Sequence, residues 1–408
     1  MTEAPDYPFA PPAPLTPPAE WAELRQQCPV ARVTLPSGDR ATLLTRYDDV
    51  RLALTDPRLS REGLAGADAA RITASTDSIF ASPMASALND EGHERWRRML
   101  GKWFTAKRMQ ALRPRIEATA DRLVDAMLEH GKPADLVTRL AFPLPVFVIC
   151  DMLGVPEGDR DLFKRWSDTF LNLTRYTREE MAAAQRDFAA YMTGLIDEKR
   201  DLVAAGGTET DEEDLLTLLL RGADSEGRPM SEAGLVATGQ ALLLAGHETT
   251  AGFIGMMFAH LLSDRRRWER LLEDRTLIRT AVEEVIRFDP NGSGFGMLRY
   301  VHEDVDLPGG PVRAGDTVVC SMASANRDEN AWAGADDMDL ARTPNAHLAF
   351  GAGPHSCLGQ PLARTELQAV LDVLLRRLPT LDLAVEASEL RRVDGLLTTP
   401  LVELPVTW

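Results

Sequence analysis

The chain is short of cysteine, of aromatic side chains and of positive charge, and each shortage excludes something. Only four cysteines occur in 408 residues, at Cys28, Cys150, Cys320 and Cys357, and none forms a Cys-x-x-Cys pair. Neither an iron–sulfur motif nor a flavin motif is present. If one cysteine holds a metal, an odd set of three remains, which argues against a disulfide framework and for a reducing, cytoplasmic setting. Lysine and arginine total 45 against 62 acidic residues, a net charge of −17 that argues against nucleic acid or an anionic membrane as the main partner. No apolar run is long enough to span a bilayer. Residues 1–20 have neither the basic start nor the apolar core of a secretory signal. They are rich in proline from Ala4 to Pro18 instead, and are expected to lie extended along the surface. There is no internal repeat and no clean linker, so 21–408 is expected to form a single domain.

What is present has the balance of a globular enzyme: 44% hydrophobic and 26% charged residues. From about Tyr47 to Leu378 the helical period dominates, and the fold class is expected to be mainly α with small β-sheets. Leu112 to Leu128 reads as a helix stopped by Gly131 and Pro133. Val33–Leu35 and Ala41–Leu44 read as a hairpin around Pro36–Asp39. Further strands are expected at Leu298–Val301, Thr317–Cys320, Leu381–Val385 and Leu401–Val406. Gly206-Gly207 and the acidic run that follows read as a surface connection.

Phe350-Gly351-Ala352-Gly353-Pro354-His355-Ser356-Cys357-Leu358-Gly359 carries the chemistry. It sets one cysteine after a glycine-punctuated turn and before a helix whose buried face is Leu367, Val370, Leu371, Leu374 and Leu378. The unpaired N–H groups and positive dipole end of that helix favour a thiolate, the form that binds iron. Gly351 and Gly353 would let the backbone approach a flat cofactor. A lone cysteine beside a turn is more often inert, but the fixed set of Phe, Gly, His and Cys argues against that here.

Two more segments bear on function. Ala245-Gly246-His247-Glu248-Thr249-Thr250 lies in a helical stretch from about Ser231 to Leu262 that also holds Gly239, Gly252 and Gly255. Glycine inside a helix costs about 1 kcal/mol against alanine. One reason to keep several is a face pressed on a flat macrocycle. The Thr249 hydroxyl can bond back to the Ala245 or Gly246 carbonyl and loosen the helix. Taken alone, glycines at helix crossings explain the segment as well. Glu284-Val285-Ile286-Arg287 places an acid and a guanidinium on one helix face, usually a solvated pair.

The cysteine segment resembles the signature of the cytochrome P450 superfamily, Phe-Gly-x-Gly-x-His/Arg-x-Cys-x-Gly, at every position. The resemblance implies a haem b between a long distal helix and a proximal cysteine loop, with Cys357 as the axial ligand of its iron. Thiolate ligation suits oxygen activation. On the distal side the Ala245–Thr250 segment matches the family pattern, which implies Thr249 as the proton-delivering alcohol and Glu248 as the acid that replenishes it. His93 and Arg97 match the family's His-x-x-x-Arg, and with Arg299 and His355 they are expected at the haem propionates. Ala245, Phe350, Gly351 and Gly359 complete the expected cofactor contacts. Glu284 and Arg287, joined by Arg342, are expected to form a structural network.

By family position the substrate faces 79–89, 170–176, 240–245, 291–297 and 396–399, and Gly292, Gly294 and Gly296 hint at a bulky substrate. The missing N-terminal anchor is similar to the soluble bacterial branch. The implied activity is monooxygenation of a bulky, mostly apolar small molecule, in tailoring of a secondary metabolite. Electrons would come through a ferredoxin reductase and ferredoxin, docking on basic residues near Arg98 and Lys102, with Arg95 and Arg97 beside them. Alternatives are an oxidase for carrier-protein-tethered or phenolic-coupling substrates, and a non-catalytic haem-thiolate sensor.

Overall fold

Ser231 starts the longest helix by accepting the Gly234 N–H on its side chain, which satisfies one of the end's unpaired donors. The helix runs unbroken from Glu232 to Leu262 and is buried along most of its length. It packs on the helices Pro143–Leu153 and Arg178–Ala204. The structure, a computed structural model, describes residues 4–72, 88, 92–160, 162, 163, 166, 169, 177–206, 214–289, 295–393 and 398–408. The substrate-facing expectations at 170–176 and 291–294, most of 79–89, residues 396 and 397, and the acidic run 211–213 lie outside the described residues.

The glycines of the long helix answer to its neighbours. A Cβ on Gly246 would come within 3.1 Å of Ile149, and one on Gly239 would collide with Met192. At Gly239 and Gly246 the expectation of a face kept bare for a macrocycle is therefore corrected: these two glycines make close helix crossings, the alternative that the sequence left open. The expected loosening at Thr249 is corrected too, since the α-helix continues through 245–250 without a break.

The helix Gln360–Arg377, begun with Pro361 in its first turn, follows the cysteine loop. Leu367, Val370, Leu371 and Leu374 are fully buried, and Leu378 just beyond its end is buried as well. It rests on the helices Arg113–His130 and Ile278–Phe288 and touches the long helix. Arg113–His130 ends at Gly131, whose φ of +88° suits glycine.

Strands are few. Val30–Thr34, Arg40–Leu44, Thr317–Cys320, Met297–Val301 and Leu59–Ser60 form one sheet in that order, with Arg40–Leu44 and Thr317–Cys320 parallel. The expected hairpin is its first pair, registered Val30 to Leu44 and Thr34 to Arg40. The C-terminal strands are shorter than expected: Pro405–Thr407 lies between Ala134–Asp135 and Asp382–Leu383 and pairs with both as a small three-stranded sheet. The fold is mainly α with small sheets, as the periodicity implied. Among the described residues no helix is long and apolar enough to cross a membrane.

Candidate active site

Cys357 closes a tight loop by donating its N–H to the Phe350 carbonyl at 2.7 Å. The loop turns because Gly351 and Gly353 adopt φ values of +69° and +70°, a region most side chains avoid. A Cβ on Gly353 would stand 2.7 Å from the Leu54 carbonyl. Gly353 thus seats the loop on the helix Tyr47–Thr55, correcting the expectation that it clears space for a cofactor. Gly359 does lie beside the sulfur, where a Cβ would make ordinary contact at 3.9 Å.

The Cys357 side chain is exposed on one side, while protein crowds it from behind. That crowding pushes the thiol up, and the N–H groups of Gly359 and Gln360 with the guanidinium groups of Arg97 and Arg364 pull the other way. The helix-end effect read from the sequence is present, but desolvation outweighs it in the protein alone. A cation at the sulfur reverses that balance, because a coordinating thiol is deprotonated outright.

Five cationic or potentially cationic side chains converge nearby. Arg97 donates to the Ser356 carbonyl at 2.6 Å. The rings of His93 and His355 lie 4.0 Å apart. Arg299 is only 2% exposed and donates to its neighbour Leu298's carbonyl at 2.8 Å. Burial first, and then Arg61, His93, Arg299 and Arg97, hold the His355 pKa down at about 3. Burial, Arg97 and Arg61 likewise depress His93. Arg61, pulled to about 10 by burial and by Arg299 and Arg97, is a member that sequence reasoning missed. No local motif marks it. Among the described residues the buried His355 Nδ1 has no hydrogen-bond partner. Mutual repulsion of this kind is a cradle for an anion with more than one negative charge.

The long helix presents one half-open stripe in its middle: Ala241, Leu244, Ala245, Glu248 and Thr249 share a face at three- and four-residue spacing, and each is partly or fully exposed. His247 points away, buried against Phe142 with its Nδ1 2.5 Å from the Leu243 carbonyl. Burial holds its pKa at about 4. The Thr249 hydroxyl donates to the Ala245 carbonyl at 3.0 Å, one of the two bonds foreseen.

Glu284 and Arg287 are paired by two bonds of 2.8 Å and neither side chain is exposed. Arg342 Nε adds bonds to both Glu284 oxygens at 3.1 and 3.0 Å. Arg287 also donates to the Asn326 and Ala335 carbonyls, pinning the segment that precedes the cysteine loop. Near the substrate side, a Cβ on Gly296 would stand 2.6 Å from the Cys320 carbonyl. That glycine serves a close backbone contact, a correction to its reading as pocket space.

The basic patch expected on the surface is also smaller. Arg95 is tied to Asp224 at 2.7 Å and Arg97 turns inward, which leaves Arg98 and Lys102 exposed.

The cytochrome P450 family model matches residues 158–400. Mycinamicin IV hydroxylase/epoxidase of Micromonospora griseorubida is 42% identical over 98% of both chains. The chain belongs to the cytochrome P450 family. Nocardicin C N-oxygenase of Nocardia uniformis subsp. tsuyamanensis is 41% identical over 100% of this chain and 99% of its own. The solved structure of the mixed-function P450 MycG superposes with a TM-score of 0.89 at 41% identity, covering 100% of both chains. The LnmA cytochrome P450 hydroxylase of the leinamycin pathway in Streptomyces atroolivaceus S-140 gives 0.87 at 40%, again over 100% of both. This P450 is a monooxygenase, and its cofactor is haem. The residues present fit that group. An exposed thiol faces away from the protein behind it, and the Arg–His cradle beside it suits two carboxylates.

Proposed function

We propose that Cys357 is the proximal ligand of the haem and that Arg97, Arg299, His93 and His355 hold its propionates, with Arg61 as a further cation. The observation that carries this reading is Arg97, which bonds to the residue before Cys357 and shares a field with the guanidinium groups of Arg61 and Arg299 and the rings of His93 and His355. Phe350, Gly351 and Gly359 would border the proximal side, and Ala245 the distal side.

Bound haem supplies the iron at which dioxygen is activated, so that one oxygen atom enters a C–H or C=C bond and the other leaves as water. The side chains govern protons and access. Thr249 keeps its hydroxyl on the open stripe of the long helix, where its oxygen can accept and pass a proton. Glu248, adjacent on that stripe, would resupply it. The apolar remainder of the stripe, Ala241, Leu244 and Ala245, favours a mostly apolar substrate and excludes water. Electrons would arrive from a reduced nicotinamide through a ferredoxin reductase and a ferredoxin, which meets Arg98 and Lys102. The substrate would be a bulky intermediate of an antibiotic-type pathway, by analogy with the mycinamicin IV and nocardicin C in the names of the relatives above.

The test is a screen of such metabolites for the low- to high-spin shift of the haem. Each responder is then turned over with ferredoxin, reductase and isotopically labelled dioxygen. The product should carry one labelled oxygen. Reduced nicotinamide consumed without oxygenated product, for every responder, would overturn the proposal.

A further inference from the structure

Glu283, His347 and Arg364 form a charged cluster behind the cysteine loop that the motifs do not mention. Arg364 lies in the first turns of the helix Gln360–Arg377, and Glu283 precedes the buried Glu284. The contact between them is two-pronged: Arg364 Nε to Glu283 Oε1 at 2.7 Å and Nη2 to Oε2 at 3.0 Å. Such a fork fixes the guanidinium in direction as well as position. Its remaining arm donates to Gln360 Oε1 at 2.8 Å. His347 Nε2 contacts Glu283 Oε2 at 3.1 Å, and its side chain is 2% exposed.

The cluster meets the cysteine loop at Phe350. The Arg364 guanidinium sits 4.6 Å from the Phe350 ring centre, and the His347 ring packs on the same residue at 5.7 Å. Phe350 is the residue whose carbonyl takes the Cys357 N–H. Arg364 is one of two cations that pull on the Cys357 sulfur, the other being Arg97. Arg97 is held by the loop itself. Arg364 is held from another helix, and a long flexible side chain on its own would swing toward water.

We propose that Glu283 and His347 are positioning residues that hold the Arg364 guanidinium against Phe350, and that this cation raises the electron affinity of the Cys357-ligated haem. Adding an electron adds negative charge beside the sulfur, so a fixed cation there favours the reduced form. Partners in the second layer around a metal site act in this way on ligand and potential. The proposal rests on Cys357 being the ligand.

The test is the midpoint potential of the haem-loaded protein, measured for wild type, Arg364→Gln, Glu283→Gln and the double variant. Arg364→Gln should lower the potential. Glu283→Gln should lower it as well, although it removes a negative charge, because the guanidinium is released. The double variant should be no lower than Arg364→Gln, since the two residues act as one unit. A raised potential in Glu283→Gln is what the bare loss of a negative charge produces, and it would overturn the proposal, as would an unmoved potential in Arg364→Gln. Should Glu283→Gln fail to load haem, His347→Leu removes the second support and should lower the potential in the wild-type background but not in Arg364→Gln. An equal drop in both backgrounds contradicts the proposal. Failure of the ligand reading is separate: the carbon monoxide spectrum of the wild type then lacks the thiolate band before any variant is compared.

Discussion

Arg97 donates to the Ser356 carbonyl at 2.6 Å, so the helix that begins at His93 is bonded to the residue immediately before Cys357. One side chain therefore links the cationic cradle to the cysteine loop. Arg97→Gln shortens that reach and removes a charge. It should purify with less haem, and a larger share of its reduced carbon monoxide complex should absorb at the ordinary haem-protein position. Haem-to-protein ratio and spectrum, read side by side, check this; full haem content with an unchanged spectrum would remove Arg97 from the cradle.

His247 sets a pH dependence. Its folded pKa, about 4, lies below the ordinary value of 6.5 because burial penalises the charged ring. The unfolded chain therefore binds the proton more readily. Stability from this group is complete above pH 6.5 and is lost as pH falls from 6.5 towards 4, by on the order of 3 kcal/mol. Thermal melting should show that decline, and His247→Leu should flatten its own share of it. An unchanged slope in His247→Leu would show that other groups carry the acid sensitivity.

Much of this was legible where the signal is local. The cysteine loop, the long helix and the Glu284–Arg287 pair depend on spacings within a few residues, and the structure places each as expected. Gly239 and Gly246 misled because a bare helix face suits a neighbouring helix as well as a macrocycle; their contacts with Met192 and Ile149 tell the two apart. Arg61 and the Glu283–His347–Arg364 cluster were hidden for another reason. Their partners lie 64 and 81 residues away in the chain for Glu283, and no period or motif records such a meeting.

Thr249 separates productive from wasted oxygen consumption. Thr249→Ala removes a hydroxyl that, among the described residues, bonds only to its own helix, so fold and haem content should be nearly unchanged. Reduced nicotinamide should still be consumed, with more hydrogen peroxide and several-fold less oxygenated product, in line with the roughly hundred-fold or larger contribution of a placed proton donor. Glu248→Gln should slow the whole cycle instead. Product formed per nicotinamide consumed is the measurement; an equal ratio in wild type and Thr249→Ala would mean that protons arrive by another route.

The central claim is that the Cys357 sulfur holds the haem iron, and the most direct measurement is the absorption spectrum of the reduced carbon monoxide complex. The wild-type protein should show the strongly red-shifted Soret band of thiolate ligation, and Cys357→His should move that band to the position of ordinary haem proteins. A wild-type band already at the ordinary position, in freshly prepared protein with full haem content, would contradict the account.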